Sequence, residues 1–219
     1  MELRERWLTG RLPAVGYDVG VQNRAIARVA GRVLWGYDVA RLWESIGLLR
    51  GVRDGTAVLD VPCGGGLAFR ALPPGGRVRY VAADLSPVML GRARGKARRL
   101  GLDQVALVQA DAGALPFPDA SFDLCLSYNG LHCLPAPRAA VAEIARVLRP
   151  GGTLRGTTVV RGAGRRQDAA VAFAQRYGAF GPGGRPSDLV GWLADAGLAD
   201  IRIERSGAVA HFTAHRLLA

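Results

Sequence analysis

At 219 residues and 49% hydrophobic content, the chain suits one domain with a sizeable core and does not suit a disordered protein. No run of about 18 apolar residues occurs, so no membrane-spanning helix is expected, and Met1-Glu2-Leu3-Arg4-Glu5-Arg6-Trp7 lacks the apolar stretch of a signal peptide. The net charge of +11 would fit nucleic acid, but it is spread along the chain as arginine, and the densest group, Arg92 to Arg99, reads as the solvated face of a helix.

Residues 1–20 have weak periodicity and four helix breakers, Gly10, Pro13, Gly16 and Gly20. They read as irregular structure around one short helix. Residues 21–34 place Ile26, Val29, Val33 and Leu34 on one helical face, and Trp35 to Leu49 carries a second apolar stripe. These helices form an expected N-terminal cap, residues 1–50, on a main unit of residues 51–219. From residue 56 strands and helices alternate, which predicts a parallel α/β sheet. Strands are expected at 57–61, 78–83, 105–109, 122–127 and 153–160. The helices between them are punctuated by Pro73-Pro74-Gly75-Gly76, Gly101 and Arg149-Pro150-Gly151-Gly152. Ser86 is a natural cap for a helix with Pro87 in its first turn. Two further helices, 167–177 and one opened by Pro186-Ser187-Asp188, precede two β-rich runs, 199–204 and 208–215. The short connection between these runs predicts an antiparallel pair.

The stretch Ala57-Val58-Leu59-Asp60-Val61-Pro62-Cys63-Gly64-Gly65-Gly66 organises the rest. An apolar strand ends in one carboxylate and a turn of three glycines, and Leu67-Ala68-Phe69-Arg70 reads as the start of a helix. Without Cβ atoms the turn lets a ligand lie against the backbone, and a following helix would point free N–H groups at it. Dinucleotide-binding folds open in the same way, but their G-x-G-x-x-G needs a third glycine that is absent after Gly66. A tight turn that binds nothing is the plainer alternative.

The strand ends favour a site. Asp60, Asp84 and Asp111 close or follow the first three strands, and ligands of open parallel sheets bind at such ends. Asp84 follows Asp60 by 24 residues, near the spacing of an acid that accepts ribose hydroxyls. Asp111 is then placed to accept from an adenine amino group.

Five segments taken together resemble the class I S-adenosylmethionine-dependent methyltransferases, in the ubiquinone/menaquinone-biosynthesis-like (type 11) branch. They are Val58–Gly66; Ala83-Asp84-Leu85-Ser86-Pro87-Val88-Met89-Leu90; Asp111-Ala112 with Leu115-Pro116-Phe117; Ser121-Phe122-Asp123-Leu124; and Arg146–Gly152. The resemblance implies a Rossmann-like α/β fold with a seven-stranded, mostly parallel sheet. The implied order is 3-2-1-4-5-7-6, with the last strand antiparallel and helices on both faces. It also implies S-adenosyl-L-methionine as cofactor. Asp60, Pro62, Cys63 and the Gly64, Gly65 and Gly66 backbone would then hold the methionine end. Asp84 would take the ribose, Leu85 and Met89 the adenine face, Asp111 and Ala112 the adenine edge, and Asn129 the methionine or methyl group. Pro62 stands where many relatives have glycine and has no N–H to donate.

Methyl transfer from a sulfonium needs mainly position and dryness. A base matters only for a weakly acidic acceptor, and His132 is the candidate near the fourth strand end. Tyr17, Tyr37 and His132 are the candidate acceptor contacts. The expected acceptor is a small molecule, quinone-like, phenolic or another natural product or lipid. Nucleic acid is disfavoured, because Ser127-Tyr128-Asn129-Gly130 does not match the Asn/Asp-Pro-Pro-aromatic motif of amino-methylating relatives. A module that binds the cofactor without turnover is the third reading. Cys63, Cys125 and Cys133 show no disulfide or metal spacing, so no metal and a cytoplasmic setting are expected.

Overall fold

The computed structural model describes residues 5, 20 and 22–218. Seven strands form one sheet: β1 (Ala57–Asp60), β2 (Arg79–Asp84), β3 (Val105–Gln109), β4 (Phe122–Tyr128), β5 (Leu148–Val159), β6 (Leu198–Ser206) and β7 (Val209–Arg216). Their order is β3-β2-β1-β4-β5-β7-β6, as the resemblance implies. β1 through β5 pair in parallel, and β7 runs antiparallel between β5 and β6. The helices are α1 (Arg24–Ala30), α2 (Ala40–Gly47), α3 (Pro87–Leu100), α4 (Pro137–Val147), α5 (Arg165–Arg176) and α6 (Pro186–Asp195).

Side-chain alternation along the strands divides the core into two layers. Val58 and its register partner Tyr80 face one side, where Phe69 meets Tyr80 edge-on at 5.7 Å beneath α2 and α3. Leu59, Cys125, Leu154 and Phe212 face the other, against α4 and α6. Local chemistry sets the helix ends. The Ser86 hydroxyl accepts from the Met89 N–H, Pro87 opens α3, and Gly101 closes it in the left-handed region.

Three sequence expectations need correction. Residues 67–71 form a 3-10 helix of 5 residues, not an α-helix, so no helix macrodipole aims at the glycine turn. The 21–34 helix ends at Ala30, where a π turn (Gly31–Trp35) leads to the left-handed Gly36. Its apolar stripe faces outward: Ile26 is 48% and Val29 65% exposed, while Ala27 and Gly31 point in. The small face packs because Val39 presses against Gly31, where a Cβ would lie 2.7 Å from Val39 Cγ2. Third, β5 begins at Leu148, five residues earlier than Thr153. The Pro/Gly run reads as a stop, yet the strand passes through it as a bulge, with Leu148 opposite Phe122 and Thr153 opposite Leu124.

Candidate active site

The glycine turn is held to β2 by two contacts, and the carboxylate that makes one of them is fixed by a third. The Cys63 N–H donates to the Ala83 carbonyl at 2.8 Å, and the Gly64 N–H donates to Asp84 Oδ2 at 2.8 Å. The Ser86 N–H donates to Asp84 Oδ1, also at 2.8 Å. Each Asp84 oxygen thus accepts one backbone N–H, which fixes the carboxylate at the end of β2. Gly66 has φ +76°, and a Cβ there would lie 2.5 Å from the Phe69 ring, so only glycine closes the turn. The Pro62 ring lies over Gly130, where a Cβ would come within 2.4 Å of Pro62 Cδ. That contact ties the turn to the loop after β4.

Asp60 turns inward. It is 2% exposed, and its Oδ2 accepts the Tyr80 hydroxyl at 2.8 Å. Burial pushes its pKa up to about 7. The nearby Asp84 charge adds to the rise, while the Tyr80 hydroxyl and the Lys96 charge oppose it. Asp111 Oδ1 accepts from the Gly113 N–H at 2.9 Å, which shapes the loop after β3, and Ala112 is buried beside it. Leu85 is partly buried, its carbonyl held by Gln109 Nε2 at 3.1 Å, and Met89 is buried beneath.

Asn129, at φ +54°, is clamped by Thr157 on β5. Its N–H donates to the Thr157 carbonyl at 2.8 Å, and the Thr157 hydroxyl donates to Asn129 Oδ1 at 2.9 Å. Beside it lies a cavity of about 310 Å³ whose walls include Leu34, Trp35, Tyr37, Asn129, Val159 and Phe180. Trp35 and Phe180 stack at 5.8 Å. Tyr37, 5% exposed, shares a 3.0 Å hydrogen bond with His211 Nε2. Tyr17 lies outside the described residues.

His132 is placed differently from a general base. It is 2% exposed, packs edge-on against Phe180 at 4.4 Å, and accepts the Val159 N–H on Nδ1 at 3.2 Å. Burial pushes its pKa down to about 3.

Several supporting residues escaped the sequence reading. Lys96, the chain's only lysine, is 6% exposed on α3, and its Nζ donates to Gln22 Oε1 at 2.5 Å. The same Gln22 donates through Nε2 to the Gly65 carbonyl at 3.1 Å. Gln22, just before α1, thus bridges α3 and the glycine turn. One buried lysine in an arginine-rich chain was the available signal. Tyr80 and Thr157 gave none, because their roles follow from strand register.

The glycine turn after β1, the acids at or beyond three neighbouring strand ends and the reversed final strand define a Rossmann-like methyltransferase fold of class I. A family model described as a methyltransferase domain matches residues 59–155. That match spans somewhat under half of the chain, and over it the chain is similar to this family. The ubiquinone/menaquinone biosynthesis C-methyltransferase of an Enterobacter strain is 38% identical over 125 residues, covering 55% of this chain and 50% of the relative. The 27-O-demethylrifamycin SV methyltransferase of Amycolatopsis mediterranei is 34% identical over 115 residues, covering 52% and 42%. These matches span half or less of the relatives' own length. A SAM-dependent methyltransferase from Aquifex aeolicus shares the fold, with TM-score 0.66 and 20% identity over 94% of this chain and 98% of that one.

Proposed function

We propose that the protein transfers a methyl group from S-adenosyl-L-methionine to a small, largely apolar acceptor, leaving S-adenosyl-L-homocysteine. The observation that carries this reading is the position of Asn129. It stands at the end of β4, the strand beside acid-bearing β1, and also lines the apolar cavity. A cofactor site and an acceptor chamber therefore meet at one residue.

The chain's donor set fits the cofactor. Asp84 offers a carboxylate to a vicinal diol, Asp111 and Ala112 can meet the adenine edge, and Leu85 and Met89 offer apolar surface to its ring. The side-chain-free backbone at Gly64–Gly66 would admit the methionine end, with Asp60 beneath it. When bound, the cofactor supplies a methyl carbon on a good, neutral leaving group. The residues here contribute position and exclusion of water.

His132 serves in this reading as a packing residue that joins the β4 end to the Phe180 loop. A proton acceptor would have to come from the acceptor's own chemistry or from another group. The relatives named for quinone and rifamycin methylation support a ring-bearing acceptor, and the stacked Trp35 and Phe180 supply flat apolar walls for one. Among the described residues no helix is long and apolar enough to cross a membrane. Cys63, Cys125 and Cys133 are buried and form no disulfide, in keeping with a cytoplasmic setting.

Calorimetry with S-adenosylmethionine, followed by labelled-methyl transfer to quinol, phenol and nucleic-acid acceptors, tests the reading. Saturable cofactor binding with transfer to a ring acceptor is expected, and Trp35→Ala should raise its KM more than it lowers kcat. Binding without transfer to any acceptor would leave a cofactor-holding module. Transfer to RNA or DNA alone would overturn the small-molecule assignment.

A further inference from the structure

A second, larger hollow lies away from the glycine turn. It has a volume of about 750 Å³ and sits on the face of β5, β7 and β6 opposite α6, with α2 as one wall. This face is polar. Arg155 on β5, Thr213 on β7 and Arg202 on β6 stand directly opposite one another in one row across three strands. Paired residues share a face, and each strand step is about 4.8 Å, so the two guanidinium groups flank the Thr213 hydroxyl within reach of a common point.

Like charges placed this way repel unless something lies between them. Here, among the described residues, no carboxylate is ion-paired or hydrogen-bonded to either arginine, although Glu44 on α2 lines the same hollow. Neither Arg155 nor Arg202 has a hydrogen-bond or ion-pair partner among the described residues. Glu204, in the neighbouring row, is taken by Arg41 at 3.7 Å. The row on the other side adds neutral donors and acceptors, with Thr153 Oγ1 and His215 Nδ1 at 3.1 Å. By contrast, Arg149 on β5 is matched by Asp123 on β4 at 2.6 Å.

We propose that this row binds a phosphoryl group carried on a small organic molecule. Two guanidinium groups on either side of Thr213 suit a tetrahedral dianion better than a single planar carboxylate, which one fork already satisfies. The hollow is many times larger than one phosphate, so an attached organic body has room along α2, beside Ser45 and Leu48. The site does not depend on the methyl-transfer reading and shares no residue with the cofactor-binding strand ends.

The test titrates the full chain with inorganic phosphate and with phenyl phosphate at low salt, by calorimetry. Saturable binding is expected for at least one probe. Arg155→Gln and Arg202→Gln should each weaken it about tenfold, the loss of one charge-assisted contact, and the double variant should abolish it. Arg99→Gln, on the exposed side of α3, should leave it unchanged, and both groove variants should keep wild-type S-adenosylmethionine affinity. Stronger binding of phenyl phosphate identifies a phosphate ester as the ligand; stronger binding of inorganic phosphate identifies the free ion and removes the organic body from the proposal. No saturable binding of either probe, or an equal loss in Arg99→Gln, overturns the site.

Discussion

The two halves of the sheet are built to different rules. β3, β2, β1 and β4 run parallel, and β1 lies buried at every position. β5, β7 and β6 form an antiparallel edge with one face packed on α6 and the other polar, half-open and lined by arginine and threonine. The first half ends in acids and a backbone turn; the second ends in a hairpin whose Ala208 N–H donates to the Trp35 carbonyl at 2.8 Å. Parallel strands place their carboxyl ends on one edge, so they suit a shared cofactor site. The antiparallel edge carries the contact with Trp35, part of the wall of the apolar cavity and the cationic row.

If that division holds, substitutions in the two halves should separate stability from cofactor affinity. Phe212→Ala, in the antiparallel half, should cost about 3–5 kcal/mol in a denaturant melt, because the 1%-exposed ring packs on Gly156. Its cofactor affinity, measured where the variant is still folded, should stay near wild type. A large loss of affinity would break the comparison. Asp84→Ala should show the opposite pattern, with cofactor binding at least about tenfold weaker by calorimetry. Tyr80→Phe is a smaller perturbation, about 1–3 kcal/mol in a melt, because it leaves the buried Asp60 carboxylate without its donor.

The remaining effects are slopes of stability against pH, and they have opposite signs. Folding raises the Asp60 pKa from 3.8 to about 7, so the folded state holds the proton more tightly. The contribution of Asp60 is fully present below pH 3.8 and is lost as pH rises through about 7. Folding lowers the His132 pKa from 6.5 to about 3, so its contribution is full above pH 6.5 and is lost as pH falls toward 3. Melts across pH 4–7 should therefore lose a falling component in Asp60→Asn and a rising one in His132→Gln. Equal profiles for the two variants would remove the assigned burial of one of them.

What could be read from the residues was mostly local. Ser86 with Pro87, Gly101 and the strand-end acids announced themselves, because capping and turn chemistry act within a few positions. The reversed final strand came from the family resemblance together with the short link between the last two β runs. Register and long-range packing stayed hidden. Tyr80 reaches Asp60 only because Arg79–Asp84 pairs in one alignment with Ala57–Asp60. The outward stripe on α1 misled because periodicity shows which residues share a face, not whether that face turns in. Small residues, Ala27 and Gly31, won the inner face by allowing closer approach. The Arg149–Gly152 run misled for a related reason: Pro and Gly mark irregular backbone, and a bulge inside a strand is irregular too.

The contact of Lys96 with Gln22 has a practical consequence. Amine-selective reagents find one side-chain target in this chain, and it is buried beside the Gln22 that also holds the Gly65 carbonyl. The acylation rate at Lys96 thus becomes a clock for how often Gln22 lets go of the glycine turn, readable by mass spectrometry without introducing any label.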